Sequence, residues 1–307
     1  MSTLMYRTLG VQGPKVPVIC LGTWPLGGGM GVLDKNQVVK TVHASIDAGV
    51  TFIDTAESYL SSEESLGEAL EGRRNKVFLA TKLSGDHSIA HIKKALEQSI
   101  KTLKCDYIDL YQIHTWKSEW KIEDTLAELL KYRDQGTIRY IGVSNFSANQ
   151  ISRSNTVAKI QSCQPHYSIL FRASKSDPID HCKENGIGVI VYSPIARGLL
   201  TGKYKLGHEF PLDDHRRDHK AFAKEYVSKG VKVANELSRW AKDHGRTGTE
   251  LAIAWTLATP GVTSAICGAK NPAQALQNAA AGSWLLTKTQ LNEIETLVAD
   301  HCINTPV

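Results

Sequence analysis

The sequence predicts an α/β fold, a (β/α)8 barrel of the TIM type whose bottom is closed by an N-terminal β-hairpin, as one domain over residues 1–307. Three observations predict it. Eight short apolar runs alternate with longer segments of helical period, the pattern of repeated βα units on a parallel sheet. Nearly every run ends in a polar residue or glycine, and in a closed barrel those ends converge on one face where sites are built. The glycines after the first run, Gly27, Gly28, Gly29 and Gly31, do not match the Gly-x-Gly-x-x-Gly of a doubly wound dinucleotide fold and read as a flexible loop.

The eight runs are Val18–Leu21, Thr51–Ile53, Val77–Ala80, Tyr107–Ile113, Ile138–Val143, Ile160–Cys163, Gly188–Val191 and Thr263–Ile266. Between them lie amphipathic stretches such as Gln37–Ala48, Ile89–Leu103, Ile122–Arg133 and Leu251–Thr259, with Ser, Thr, Asp or Asn near their starts. The polar ends are Asp54, Lys82, His114, Ser144 with Asn145, Gln164, Ser193 and Gly268. One such residue is equally well a cap for the next helix, as Ser144 or Asn145 would be, but seven together favour a shared site.

Bulk properties narrow the function. With 42% hydrophobic and 22% charged residues the chain can bury a large core. A net charge of +5, without basic runs interleaved with aromatics, argues against nucleic acid and favours a small phosphorylated ligand. The start, Met1 to Arg7, lacks a secretory stretch, and no segment approaches the ~20 apolar residues of a membrane span, so a cytoplasmic protein without a membrane partner is expected. Six scattered cysteines (Cys20, Cys105, Cys163, Cys182, Cys267, Cys302) show no Cys-x-x-Cys pair and no zinc-spaced histidine, so reduced thiols, several in strands, and no metal are expected.

The chemistry concentrates at four strand ends. Thr51 to Tyr59 sets a carboxylate, Asp54, ahead of a phenol, Tyr59; Lys82 ends the third run and His114 the fourth. A phenol, with an ordinary pKa near 10, exchanges protons near neutrality only if its anion is stabilised by roughly 3–4 kcal/mol. An ammonium about 4 Å away supplies ~4 kcal/mol at an effective dielectric near 20. Asp54 would keep Lys82 charged, and a neutral His114 would orient and polarise a carbonyl oxygen. Taken singly, each has a blander reading: an ion pair, a packed aromatic, a core imidazole. Their joint placement at one rim favours a general-acid site that needs a hydride.

With these residues in place, the sequence resembles the aldo-keto reductase family almost from end to end. Asp54, Tyr59, Lys82 and His114 match its four catalytic positions in type, order and strand placement. So do Leu21-Gly22-Thr23-Trp24, Ser62-Glu63 with Leu66–Leu70, Gly142–Phe146, and Tyr192-Ser193-Pro194 through Gly198–Lys203. The resemblance implies hydride transfer from a nicotinamide to a carbonyl carbon of a small substrate, with Tyr59 protonating the oxygen, Lys82 and Asp54 tuning it, and His114 steering the substrate. It further implies that Ser144, Asn145 and Gln164 bind the nicotinamide carboxamide, that Tyr192 stacks on the ring, and that Gly22, Thr23 and Trp24 belong to the cofactor site.

The pyrophosphate would lie along Ser193, Pro194, Gly198, Leu199, Gly202 and Lys203, where the glycines permit close approach. Near the C-terminus, Gly268, Lys270, Gln274 and Asn278 surround a helix start, and Lys270 suits a 2′-phosphate, pointing to NADPH with NADH as the second choice. Gln274 stands where many family members carry arginine. Trp24 and Trp116 follow strand ends and would wall a substrate pocket, with core packing the competing reading. The segment Asp213 to Lys220 reads as a charged, solvated loop without apolar support, at a place where related proteins have a mobile segment that closes over the cofactor. After Tyr59 comes Leu60 instead of the family's common glycine, which leaves the shape of that loop open.

Three functions compete. The first is a reductase of aldehydes or ketones, able to run backwards as a sugar or alcohol dehydrogenase. The second is a cofactor-binding regulatory subunit similar to potassium-channel β subunits; a long N-terminal extension would favour it, and this chain begins almost directly at its first hairpin. The third is a barrel isomerase or aldolase with Lys82 as nucleophile, which needs a desolvated neutral amine, whereas Asp54 keeps this one charged. A monomer is the family-level expectation.

Overall fold

The computed structural model describes residues 4–211, 214 and 216–304, so Asp213 and His215 of the charged segment lie outside the described residues. Two short strands, β1 (Tyr6–Thr8) and β2 (Lys15–Pro17), pair antiparallel. Eight parallel strands follow: β3 (Ile19–Gly22), β4 (Phe52–Asp54), β5 (Phe78–Leu83), β6 (Ile108–Ile113), β7 (Ile138–Ser144), β8 (Ser162–Gln164), β9 (Gly188–Tyr192) and β10 (Val262–Gly268). They form a closed barrel in chain order, with β10 returning to β3. Every expected run lies in or beside one of these strands. The difference is at the carboxyl ends, where the strands run on to include Asp54, Lys82, Ser144, Gln164, Tyr192 and Gly268.

Side chains alternate across a strand, so residues two apart share a face. That rule carries the site upward from the core. Cys20, Phe52, Ala80, Leu110, Ile190 and Ile266 form an apolar cluster inside the barrel, joined by Leu9 and Val16 of the hairpin. Two residues further along the same strands stand Gly22, Asp54, Lys82, Gln112, Tyr192 and Gly268, and two further again, just past the ends of β5 and β6, come Ser84 and His114. The barrel is thus apolar below and polar toward its C-terminal mouth. The hairpin closes the opposite end: Gln161 Nε2 donates to Leu9 O at 2.5 Å, and Val11 N to Gly186 O at 2.7 Å.

The helices around the barrel are α1 (Lys35–Asp47), α2 (Ser62–Ala69), α3 (Ile89–Thr102), α4 (Ile122–Asp134), α5 (Ala148–Asn155), α6 (Ile179–Glu184), α7 (Lys224–Asp243), α8 (Gly248–Ala258), α9 (Pro272–Ala281) and α10 (Lys288–Val298). Their starts are capped as the sequence suggests. Asp34, Ser88 and Asn271 accept from the backbone three residues on, and Ser147, Thr247 and Thr287 build capping boxes with Gln150, Glu250 and Gln290. Because Ser147 caps α5, neither Ser144 nor Asn145 does, and the capping alternative for those two falls away.

The six cysteines are free thiols, with Cys20, Cys163 and Cys267 in strands as expected. No described helix is long and apolar enough to cross a membrane, and no metal-holding cluster occurs among the described residues.

Two loop readings need correction. The glycine loop is anchored: a Cβ on Gly29 would fall 2.2 Å from the Trp24 ring, and Met30 O accepts from Lys270 Nζ on the loop after the neighbouring strand β10. The charged segment is a solvated loop only in part: Arg217, Asp218 and Lys220 are exposed, but its first two described residues are buried. Asp214 and Arg216 are each 8% exposed and paired, and Arg216 lies over Phe210 at 4.6 Å and donates to Tyr204 Oη at 2.8 Å. Aromatic residues outside the charged run supply the apolar support that its own composition lacks.

Candidate active site

Lys82 is fully buried, and three acceptors surround its ammonium: Asp54 Oδ2 at 2.5 Å, Thr55 O at 2.7 Å and Tyr59 Oη at 3.3 Å. Burial works against its charge, but the carboxylate of Asp54 and the phenol of Tyr59 outweigh it, leaving the pKa above that of an ordinary lysine. Asp54 is held from its other oxygen by Gln112 Nε2 at 3.0 Å and Gln164 Nε2 at 2.9 Å. The amine therefore stays protonated and aimed at the phenol oxygen, where it stabilises negative charge as that charge develops.

Tyr59 sits on the loop after β4, edge-on to Trp24 (centroids 5.1 Å) and to His114 (5.7 Å). Leu60, next in the chain, holds φ at +49°, so the loop takes a left-handed turn here that glycine would adopt without strain. His114 is pushed down to a pKa of about 3, first by burial and then by the charge of Lys82, so its ring is neutral through the physiological range. Its Nδ1 lies 2.8 Å from Ser84 Oγ. The backbone carbonyl of His114 accepts from Asn145 Nδ2 at 3.0 Å, tying β6 to β7 at the rim.

These groups open into a cleft of about 850 Å³, inside the size range of small-molecule and cofactor sites. Of the residues singled out from sequence, Asp54, Tyr59, His114, Gly22, Thr23, Trp24, Ser144, Asn145, Gln164, Tyr192, Ser193, Pro194, Gly198, Lys203, Gly268, Lys270, Gln274 and Asn278 line it. Lys82 lies just beneath, under Tyr59.

Three expected lining residues lie elsewhere. Leu199 is 1% exposed and packs its δ-carbon where a Cβ on Gly230 of α7 would stand 2.3 Å away. Gly202 is turned toward Ser238. Trp116 packs edge-on against Phe146 at 5.2 Å, the competing core reading, so of the two tryptophans only Trp24 walls the cleft. Other residues were missed. Gln112 and Ser84 support the tetrad, and each stands two positions from a chemical residue on its strand, a signal that side-chain alternation makes readable. Arg197 and Arg216 also line the cleft; the first lies between Tyr192 and Lys203, the second in the charged segment, whose composition reads as a solvated loop.

Whether a nicotinamide dinucleotide fits can be judged from both ends of the cleft. At one end Tyr192 is backed by His166, the rings stacked at 5.1 Å, and its hydroxyl donates to Asn145 Oδ1 at 2.9 Å. A flat aromatic wall thus stands beside the amide and hydroxyl groups of Asn145, Ser144 and Gln164. At the other end Lys203, Arg216 and Lys270 converge. Lys270 is lowered by burial and then by the neighbouring Arg216 charge, the mark of crowded cations that an anion would relieve. Between the ends, Ser193, Ala196, Arg197 and Gly198 all hold positive φ, a strained backbone of the kind kept where a site demands it. A planar amide-bearing ring at one end and a phosphate at the other suit this donor set.

Comparison with known proteins agrees. The family model described as Aldo/keto reductase family matches residues 18–299. Aldo-keto reductase YhdN of Bacillus subtilis is 35% identical, over 98% of this chain and 96% of its own length. Aldo-keto reductase yakc [NADP(+)] of Schizosaccharomyces pombe is 35% identical, over 82% of this chain and 79% of its own. The glycerol dehydrogenase structure from Gluconobacter oxydans superposes with a TM-score of 0.88 at 32% identity, covering 100% of this chain and 98% of that one. Sequence, barrel and tetrad converge, and the chain belongs to the aldo/keto reductase family.

Proposed function

We propose that the chain reduces aldehyde or ketone groups to alcohols with NADPH, with Tyr59 as the general acid. The observation that carries this is the contact of the Tyr59 phenol, at 3.3 Å, with an ammonium that is fully buried and paired with Asp54. A family of oxidoreductases working with nicotinamide cofactors supplies the reaction class. When bound, the reduced nicotinamide supplies the hydride. Tyr59 Oη gives its proton to the carbonyl oxygen, and the phenolate left behind is stabilised by Lys82. Asp54, fixed by Gln112 and Gln164, keeps the ammonium in place. His114, neutral, orients the oxygen.

Ser144, Asn145 and Gln164 would hold the carboxamide, and Tyr192 the ring. Lys270, joined by Lys203 and Arg216, would hold the 2′-phosphate. The NADP(+) in the name of the S. pombe relative favours that phosphate. Similarity to a glycerol dehydrogenase favours a second reading, the same chemistry run toward alcohol oxidation.

Tyr59→Phe should abolish carbonyl reduction, followed by nicotinamide absorbance, while cofactor binding, followed by fluorescence, persists; retained turnover refutes Tyr59 as the acid. Lys270→Ala should weaken NADPH at least tenfold more than NADH, and equal losses discredit the phosphate contact.

A further inference from the structure

His114 lines the cleft and commits one ring nitrogen, Nδ1, to a hydrogen bond with the protein. Which nitrogen carries the proton decides whether the cleft meets a donor or an acceptor. The partner of Nδ1 is the Ser84 hydroxyl at 2.8 Å, and that hydroxyl has a single proton. The heavy-atom geometry lets it donate that proton to Ser58 Oγ, at 3.1 Å, instead of to the ring. So directed, Ser84 can only accept from His114, which places the ring proton on Nδ1 and leaves Nε2 bare. Ser84 is itself fixed, since its backbone N–H donates to Glu57 Oε1, a carboxylate that also stands 3.4 Å from His91 Nε2.

We propose that Ser84 is a positioning residue whose hydroxyl sets the tautomer of His114. Aimed at Ser58, it leaves Nε2 an acceptor for the hydroxyl of an alcohol; rotated onto Nδ1, it leaves Nε2–H a donor for a carbonyl oxygen. The ring remains neutral throughout. One proton leaves Nδ1 and one arrives at Nε2 by exchange with water, while Ser84 keeps its own. A single histidine then serves both ends of a reversible oxidoreduction. The proposal rests on the reading of this cleft as a carbonyl reductase site.

The test begins with nitrogen-15 NMR of the cofactor-free full chain, His114 being identified by loss of its signals in His114→Gln. Wild type should show the Nδ1–H tautomer. Ser84→Ala should revert to Nε2–H, the form a free imidazole side chain favours, and Ser84→Thr should match wild type. Ser58→Ala, at an exposed position, frees the Ser84 proton for Nδ1 and should also give Nε2–H, so the test survives if Ser84→Ala fails to fold. In kinetics, Ser84→Ala or Ser58→Ala should raise the inhibition constant of the product alcohol about tenfold, with the carbonyl KM within about twofold. Any other pairing of tautomers, or equal losses for alcohol and carbonyl, overturns the proposal. If wild type reduces no carbonyl at all, the reading of the cleft fails, while the spectra still decide the role of Ser84.

Discussion

Replacing Lys82 by methionine separates what this lysine does for stability from what it does for chemistry. In the folded chain its ammonium lies 3.3 Å from the Tyr59 oxygen. At that distance full charges attract by about 5 kcal/mol at an effective dielectric of 20. With half of the phenolate charge developed in the transition state, its loss costs about 2.5 kcal/mol, or roughly two orders of magnitude in kcat. Lys82→Met also strands the carboxylate of Asp54, 2% exposed, without its counter-ion. Breaking a buried pair in this way costs about 3–5 kcal/mol of folding free energy, whereas removing both partners is close to neutral. The double variant Asp54→Asn/Lys82→Met should therefore recover most of the stability lost by Lys82→Met and none of the rate. Denaturant titration reads the first, and single-turnover loss of reduced-nicotinamide absorbance the second. A double variant that regains turnover together with stability refutes the electrostatic role of Lys82; a single variant as stable as wild type refutes the buried pair.

Two further predictions concern stability. His114 and His166 are both held at a pKa of about 3, chiefly by burial, whereas an unfolded histidine titrates near 6.5. The unfolded chain binds more protons between these values, so stability is intact above pH 6.5 and is lost as pH falls toward 3, by about 2 kcal/mol per histidine at pH 5. His166→Gln should thus lose about 2 kcal/mol less than wild type between pH 7 and pH 5 in denaturant titrations, and parallel losses would rule the mechanism out. Leu60 is strained at φ +49° and 68% exposed, so little packing is lost with its side chain. Leu60→Gly should stabilise the chain by about 0.5–1 kcal/mol, the left-handed cost of ~1–2 kcal/mol less the added chain entropy of glycine; a lowered Tm would show that Leu60 makes contacts worth more than its strain.

The parts of the site that were readable from sequence are those fixed by strand periodicity. Asp54, Lys82 and His114 each lie at or beside the end of an apolar run, and because alternate residues face inward, locating the run locates the residue. Gln112 and Ser84 obey the same alternation and were overlooked only because neither side chain is chemical by itself. Trp116 and Leu199 were misplaced for the opposite reason: both lie in loops or turns past a strand end, where no period says which way a side chain points.

What the sequence determined alone was the barrel, the order of its strands and the polar ends that meet at one mouth, since alternation of strand and helix period admits few closed arrangements. Only the tertiary structure decided which residues far apart in the chain meet there. Gln164 finds Asp54, Lys270 reaches Met30, and Ser84 reaches Ser58 and His114. The contacts of Lys270 and Ser84 arise from loops whose paths are set by burial and hydrogen-bond satisfaction against the rest of the molecule, forces that no local window of sequence records.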